Sequence, residues 1–301
     1  MKKTALYTAL VLTCLYSCSD KENGADAYGS FEATDITISS EVNGKIIALP
    51  VETGSRLHKG DLICSIDTTL LVLQKAELET RIAAIKTRLA GIKAQIAVID
   101  QQKSNMVINF NRVKNMLKEN AATQKQYDEL DGQLKVLEKQ RDAQLTQKLS
   151  VTSEIEVLKE KMDFINEQIR RCFIYSPIDG TVLEKYVELF ELTGAGKPLV
   201  KIADLSEMNL IVYASSQQVG KIKINDSCTV LIDSDNQSSI SFPGIISWIS
   251  EQAEFTPKII LTKQVRVNLV YAVKIRVAND GRIKIGMPGE AIFRQGSAVK
   301  P

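Results

Sequence analysis

Histidine is nearly absent from this 301-residue chain, His58 being the single example. Cysteine occurs five times and never in C-x-x-C spacing, and aromatic residues make up 6% with one tryptophan, Trp248. Neither sign of charge prevails, 38 basic residues standing against 36 acidic. Proline is missing from Val51 to Ser176. Each shortage closes a class of function. One histidine and scattered cysteines leave no metal-ligand cluster and no Ser/His/Asp or Cys/His order for nucleophilic catalysis. Balanced charge without a basic stripe argues against a nucleic-acid partner. The sequence offers no phosphate loop, so no catalytic, cofactor or metal residues are expected.

No apolar run is long enough to span a bilayer. The stretch from Ala5 to Leu15, behind Lys2 and Lys3, has instead the length of a signal-peptide core. It ends in "LYSC" followed by polar residues, similar to a bacterial lipoprotein signal in which Cys18 becomes the lipidated first residue. Simple cleavage near Ser17 without lipid is the alternative. Either way the mature chain is held at a membrane or beside it, not embedded in it. Removal of Cys14 with the signal and lipidation of Cys18 leave Cys64, Cys172 and Cys228, each in an apolar pattern that predicts a small buried thiol.

One motif is written twice. "EVNGKIIALPVETGSRLHKGDLICSID" from Glu41 returns as "SPIDGTVLEKYVELFELTGAGKPLVKIAD" from Ser176. A constant, gapless offset superposes Gly44 on Gly180, Ile46 on Val182, Val51 on Val187, Gly60 on Gly196 and Ile66 on Ile202. Apolar alternation with glycine punctuation reads as strands, with Gly44, Gly54, Gly60, Gly180 and Gly196 expected at turns. Between the repeats the texture is helical. Apolar residues fall at 78, 82, 85, 89, 92, 96 and 99, then at 106, 110, 113 and 117, a heptad seam broken at Lys103. The rhythm weakens over "KENAATQ", resumes at Leu130, is irregular near Arg141 and returns from Val151 to Cys172. Two arms of ~48 residues, each roughly 70 Å long, flank one break. They fold back as an antiparallel hairpin whose ends bring the repeats together, each repeat forming one half of a small sandwich. A single dimerising rod is the competing arrangement.

These residues, in this order, resemble the HlyD/AcrA-type periplasmic adaptors, or membrane fusion proteins. "AEFTPK", "VYAVKIRVAND" and "IKIGMPGEA" are similar to the subgroup serving ABC-type exporters. The resemblance implies an elongated α+β chain in which a long helical hairpin is inserted into a lipoyl-like β-sandwich (a barrel-sandwich hybrid), followed by a small antiparallel β-barrel. Expected boundaries are a signal at 1–17, a lipidated cysteine and linker at 18–30, and the first lipoyl-like half at 31–70. The hairpin then takes 71–171, the second half 172–206, and the β-barrel with its tail 207–301. True lipoyl domains carry a modified lysine where the halves join. "IDTTLLVLQ" stands there instead, so a carrier role in a multienzyme complex is disfavoured.

Adaptors of this family that dock onto TolC-like channels carry an Arg, a Leu four residues on, a Ser seven further and a nearby Asp after an aromatic. "RVKNMLKENAATQKQYD" matches with Arg112, Met116, Thr123 and, after Tyr127, Asp128. The resemblance implies docking at the hairpin tip, with Thr123 also capping the second arm, and a contact with the transporter through the loop from Ala253 to Lys263. It further implies a periplasmic protein anchored by lipid to the inner membrane and assembled as a ring, commonly of six. Its partners would be an ABC permease with its ATPase and a TolC-like outer-membrane channel. The short tail after "GMPGEA" favours the ABC partner. An RND-pump adaptor and a coiled-coil envelope scaffold without an export role are the alternatives.

Overall fold

A computed structural model describes residues 25–234, 238–255 and 269–293. The chain opens with β1 (Ala27–Glu32). The first repeat folds as β2 (Asp35–Ser39), β3 (Gly44–Ala48), β4 (Arg56–Leu57) and β5 (Leu62–Ile66). Helices α1 (Thr69–Lys118) and α2 (Gln124–Arg171) follow. The second repeat gives β6 (Phe173–Tyr175), β7 (Gly180–Lys185), β8 (Leu192–Thr193) and β9 (Pro198–Ala203). After these come β10 (Glu207–Ser215), the one-turn α3 (Ser216–Val219), β11 (Ser227–Ser234), β12 (Ser238–Ile249), β13 (Glu254–Phe255), β14 (Leu269–Ala278) and β15 (Pro288–Phe293). Two compact units result: Thr37–Lys201, and the residues on either side of it. Cys18, the rest of the signal segment, most of the Ala253–Lys263 loop and the C-terminal tail lie outside the described residues.

The repeats are equivalent strand for strand: β3, β4 and β5 begin 136 residues before β7, β8 and β9. They do not, however, each make one layer of the sandwich. The two four-stranded sheets run β2-β9-β7-β4 and β6-β5-β3-β8, so each draws two strands from either repeat. The exchange is visible in matched hydrogen bonds. Gly60 N–H donates to the Ser176 carbonyl, and Gly196 N–H to that of Ser40, both at 2.8 Å. The buried hydroxyls of Ser40 and Ser176 each donate at 2.6 Å to a carbonyl two residues on, Val42 and Ile178. Interleaving lets each repeat satisfy the other's backbone while Ile46, Ile66, Val182 and Ile202 go out of contact with water. Each such side chain is worth about 1.5–3 kcal/mol.

The five repeat glycines divide by conformation. Gly54, Gly60 and Gly196 have φ of 89°, 95° and 83°, turn conformations in which a side chain would be strained. Gly44 and Gly180 instead open β3 and β7. Gly44 is there for room: a Cβ on it would come within 2.5 Å of the buried Ile66 Cγ2. The symmetry also fails once, informatively. Phe190 is the equivalent of Gly54 yet adopts φ 73°, a left-handed conformation that costs an L-residue about 1–2 kcal/mol. Lys45 Nζ lies 5.1 Å from its ring centroid, a cation–π contact that offsets part of that cost.

The arms of the hairpin, 50 and 48 residues, bury Ile82, Ile85, Ile92 and Ile96 against Val151, Ile155 and Leu158. The two places where the seam loses its apolar rhythm are ion-paired across the arms. Lys103 meets Glu138 at 2.8 Å and Arg141 meets Asp100 at 2.6 Å. Both helices run through these layers without a break.

The remaining strands close as a six-stranded antiparallel barrel, β10-β1-β15-β11-β12-β14 with β14 returning to β10, and β13 extends beside β14. Phe31, Met208, Leu210, Val273 and Ile275 fill it. Residues 18–30 are therefore not all linker, nor does the first lipoyl-like half begin at 31. Residues 27–32 are the barrel strand β1, paired with β10 and β15. Glycine at position 29 is what lets the neighbouring backbone come so close.

Candidate docking site

The tip of the hairpin is built by two termination devices written into "MLKENAATQKQYD". Helix α1 stops because Asn120 takes φ 57°, a conformation Asn tolerates better than other side-chain-bearing residues. Asn120 N–H then donates to the Leu117 carbonyl at 3.0 Å and Ala121 N–H to that of Met116 at 2.7 Å. Those two bonds satisfy carbonyls that the helix end leaves open, in the Schellman pattern. Helix α2 starts at Thr123, whose hydroxyl accepts from Gln126 N–H while Gln126 Oε1 accepts from Thr123 N–H at 2.9 Å. This is a capping box. About two turns back along α1 and one along α2, Phe110 and Tyr127 place their ring centroids 5.0 Å apart, joining the arms.

On this frame Arg112 and Met116 occupy the last two turns of α1, and Thr123 and Asp128 the start of α2. All four are exposed. Arg112 has no side-chain hydrogen bond or ion pair among the described residues, so its five N–H donors are available to a partner's carbonyls or carboxylates. Asp128 is already engaged, accepting from Gln124 Nε2 at 2.7 Å. Thr123 is occupied as a cap. The tip thus offers a partner one free guanidinium and one thioether beside a turn capped on both sides. The capping role of Gln126 was readable from its spacing three residues after Thr123. Asn120 carried the weaker signal of an Asn at a helix end, and the Phe110–Tyr127 contact across the turn carried none.

Elsewhere lie the single histidine and three cysteines. His58 is exposed in the turn before Gly60, where its N–H donates to Asp61 at 2.7 Å. Cys64, Cys172 and Cys228 are free and buried. Burial pushes the thiols of Cys64 and Cys228 up to about 11 and raises that of Cys172 as well. Among the described residues no group of three or more His, Cys, Asp or Glu is placed to hold a metal, and no helix is long and apolar enough to cross a membrane.

Comparison with known proteins meets this geometry. The chain is 23% identical over 295 residues to a UPF0194 membrane protein of Acidithiobacillus ferridurans, covering 89% of this chain and 86% of the relative. It is 24% identical to a UPF0194 membrane protein of Citrobacter koseri, covering 91% and 90%. The crystal structure of MacA from Actinobacillus actinomycetemcomitans shares the fold with a TM-score of 0.55 at 24% identity, covering 88% of this chain and 76% of that one. A family model described as the RND MFP barrel-sandwich hybrid domain matches residues 34–204, more than half of the chain and the same span that carries the interleaved repeats and the hairpin. The chain belongs to that family, the membrane fusion proteins that serve as periplasmic adaptors of efflux systems.

Proposed function

We propose that this protein is the lipid-anchored adaptor of a tripartite export system, coupling an ABC-type inner-membrane exporter to a TolC-like outer-membrane channel. The observation that carries the reading is the tip. A hairpin of 50 and 48 residues ends in a turn fixed by a cap on each side, with the unpaired Arg112 held outward beside it. Spending two capping motifs on a solvent-exposed turn makes sense where the turn must keep its shape to be bound. The protein acts by binding and alignment, without catalysis. Cys18 carries the lipid that holds it to the inner membrane, and about six copies close as a ring, because a conduit must seal around its axis.

The ABC partner is supported by "VYAVKIRVAND" and "IKIGMPGEA", which form β14, β15 and the segment between them on the barrel. The RND description of the matched family supports a second reading in which the exporter is an RND pump. Isolating the native complex separates the two, by an ATPase with its permease in one case and one large pump subunit in the other.

The docking reading is tested by Arg112→Asp and Arg112→Lys. The position is exposed and unpaired, so folding stability should move by no more than about 0.5 kcal/mol. Export should fall sharply for Asp and partly for Lys, whose point charge cannot reproduce a planar fork. Normal export by Arg112→Asp would refute docking through this residue. Lost export with a lowered melting temperature would make Arg112 structural instead.

A further inference from the structure

The six-stranded barrel exposes its large apolar side chains unevenly. Among the described residues, Tyr28, Ile224, Ile245, Trp248, Phe255 and Leu269 are between 43% and 72% exposed. The strand register gathers them toward one end. Tyr28 lies one residue into β1, opposite Tyr213 near the close of β10. Ile245 pairs with Ser227, which opens β11, and the turn bearing Ile224 is held beside them by Asn225 N–H, which donates to the Ile246 carbonyl at 2.8 Å. Trp248 lies past that rim on β12, and Phe255 of β13 pairs with Leu269, the first residue of β14. Ile285 stands at the opposite end, next to Gly286, whose N–H donates to the Phe31 carbonyl. Charge does not follow the same line. Lys221 and Lys223 flank Ile224, while Glu251 and Glu254 precede Phe255, so the two signs offset.

We propose that this end of the barrel rests on a bilayer surface, with Ile224, Phe255 and Leu269 entering the acyl boundary and Tyr28 and Trp248 lying at headgroup level. Three observations select lipid as the occupant. The apolar groups stand on separate projections, Ile224 on a turn and Phe255 with Leu269 on a two-stranded ribbon. A fluid surface takes up separate projections without needing a matching hollow for each. The amphipathic rings of Tyr28 and Trp248 sit farther back on their strands, the placement that the headgroup region favours. The chain also enters the barrel at this end. Just before β1, Asp26 N–H donates to the Ala291 carbonyl at 2.9 Å and its carboxylate accepts from Phe293 N–H at 2.8 Å. Residues 19–26 are all that separate β1 from Cys18, a tether of about 30 Å at full extension. A lipid on Cys18 would hold this end against the bilayer, and the tether is the one step that rests on the proposed anchor. Because the charges offset, the attachment is apolar and survives raised salt.

Trp248, the single tryptophan, belongs to the surface and reports on it directly. The full mature protein, and a Cys18→Ala form exported behind a signal that adds no lipid, are mixed with phosphatidylcholine vesicles with and without brominated acyl chains. Mass spectrometry reports whether Cys18 of the parent carries lipid. Bromine should quench Trp248 in both proteins, in the Cys18→Ala form at higher vesicle concentration, and raised salt should leave the quenching in place. In the Cys18→Ala background, Ile224→Glu with Phe255→Glu should lower vesicle binding about tenfold. The melting temperature should not change, since both positions are exposed. Equal binding by that variant would overturn the assignment. A lipidated parent that sediments with vesicles while Trp248 stays unquenched would also overturn it and leave the anchor standing. Quenching of the Cys18→Ala form beside a parent that carries no lipid would uphold the surface and refute the anchor. Quenching only when the vesicles hold the inner-membrane exporter would assign this end to that protein and overturn the lipid assignment.

Discussion

Gly29→Ala should open the barrel. Gly29 lies in β1 between β10 and β15, opposite Val212 on one side and Gly289 on the other. A Cβ built on it would overlap the Ile211 carbonyl oxygen and stand 2.6 Å from the carbonyl carbon and 2.8 Å from Val212 Cα. All three are backbone atoms of a closed sheet, so no side chain can turn aside. Ordinary overpacking costs about 1–3 kcal/mol when neighbouring side chains yield, and a backbone that cannot yield puts this case at the top of that range. The escape route costs as much: if β1 peels away, Phe31 leaves the core, losing up to about 3 kcal/mol of burial. Either way the loss is about 3 kcal/mol. Trp248, the single tryptophan, lies in β12 of the same barrel, so its fluorescence in urea reports that unit. Ser30→Ala is the control and should stay within about 0.5 kcal/mol of the parent. A Gly29→Ala midpoint equally close to the parent would show that β1 is not held against β10.

At the tip, Thr123→Ala removes the acceptor of the capping box and should cost about 1 kcal/mol, expressed as local fraying. Amide exchange at Gln126 and Tyr127 should accelerate about fivefold with the melting temperature unchanged; a global loss would mean the cap supports the whole hairpin. The buried thiols give a second test. With Cys64 and Cys228 held at about 11 against an ordinary 9.0, the native chain should resist alkylation at pH 8 and the urea-unfolded chain react fully. The same upward shift means the folded state keeps its protons longer. Stability should therefore be intact below pH 9 and decline as pH rises toward 11, because the unfolded chain ionises first. Rapid native alkylation, or a melting temperature that rises over that range, would contradict the burial of these residues.

Much of the fold was legible because its signals are local. The heptad spacing of Leu78 to Ile99 and of Val151 to Cys172 specifies both arms, and the polar stretch around Asn120 marks where they turn. The repeat was legible as a constant offset, and Ile46 and Val182 could be read as a matched core pair. The interleaving was not, since alternation tells which face of a strand is buried and not which strand lies beside it. Strand β1 escaped notice because Gly29 and Ser30 dilute its alternation and its partners β10 and β15 are far along the chain. Phe190 was unreadable for a different reason. Its left-handed turn is imposed by the symmetric sandwich around it, where local preference would have placed glycine as at position 54. At the tip, Thr123 and the exposed Arg112 could be picked out by type and spacing. The pairing of Asp128 with Gln124, which leaves Arg112 as the freer group, depends on side-chain geometry.

If the hairpin tip meets an outer-membrane channel, a cross-linker placed by Met116→Cys in intact cells should capture that channel. The three thiols of the folded domains are buried, so a maleimide-based photo-cross-linker will act at the new cysteine beside Arg112. Docking through the tip requires an adduct containing this chain and a TolC-like channel, lost when Arg112→Asp is added. A cysteine at position 116 that labels fully yet yields no channel adduct while the exporter is active would contradict it.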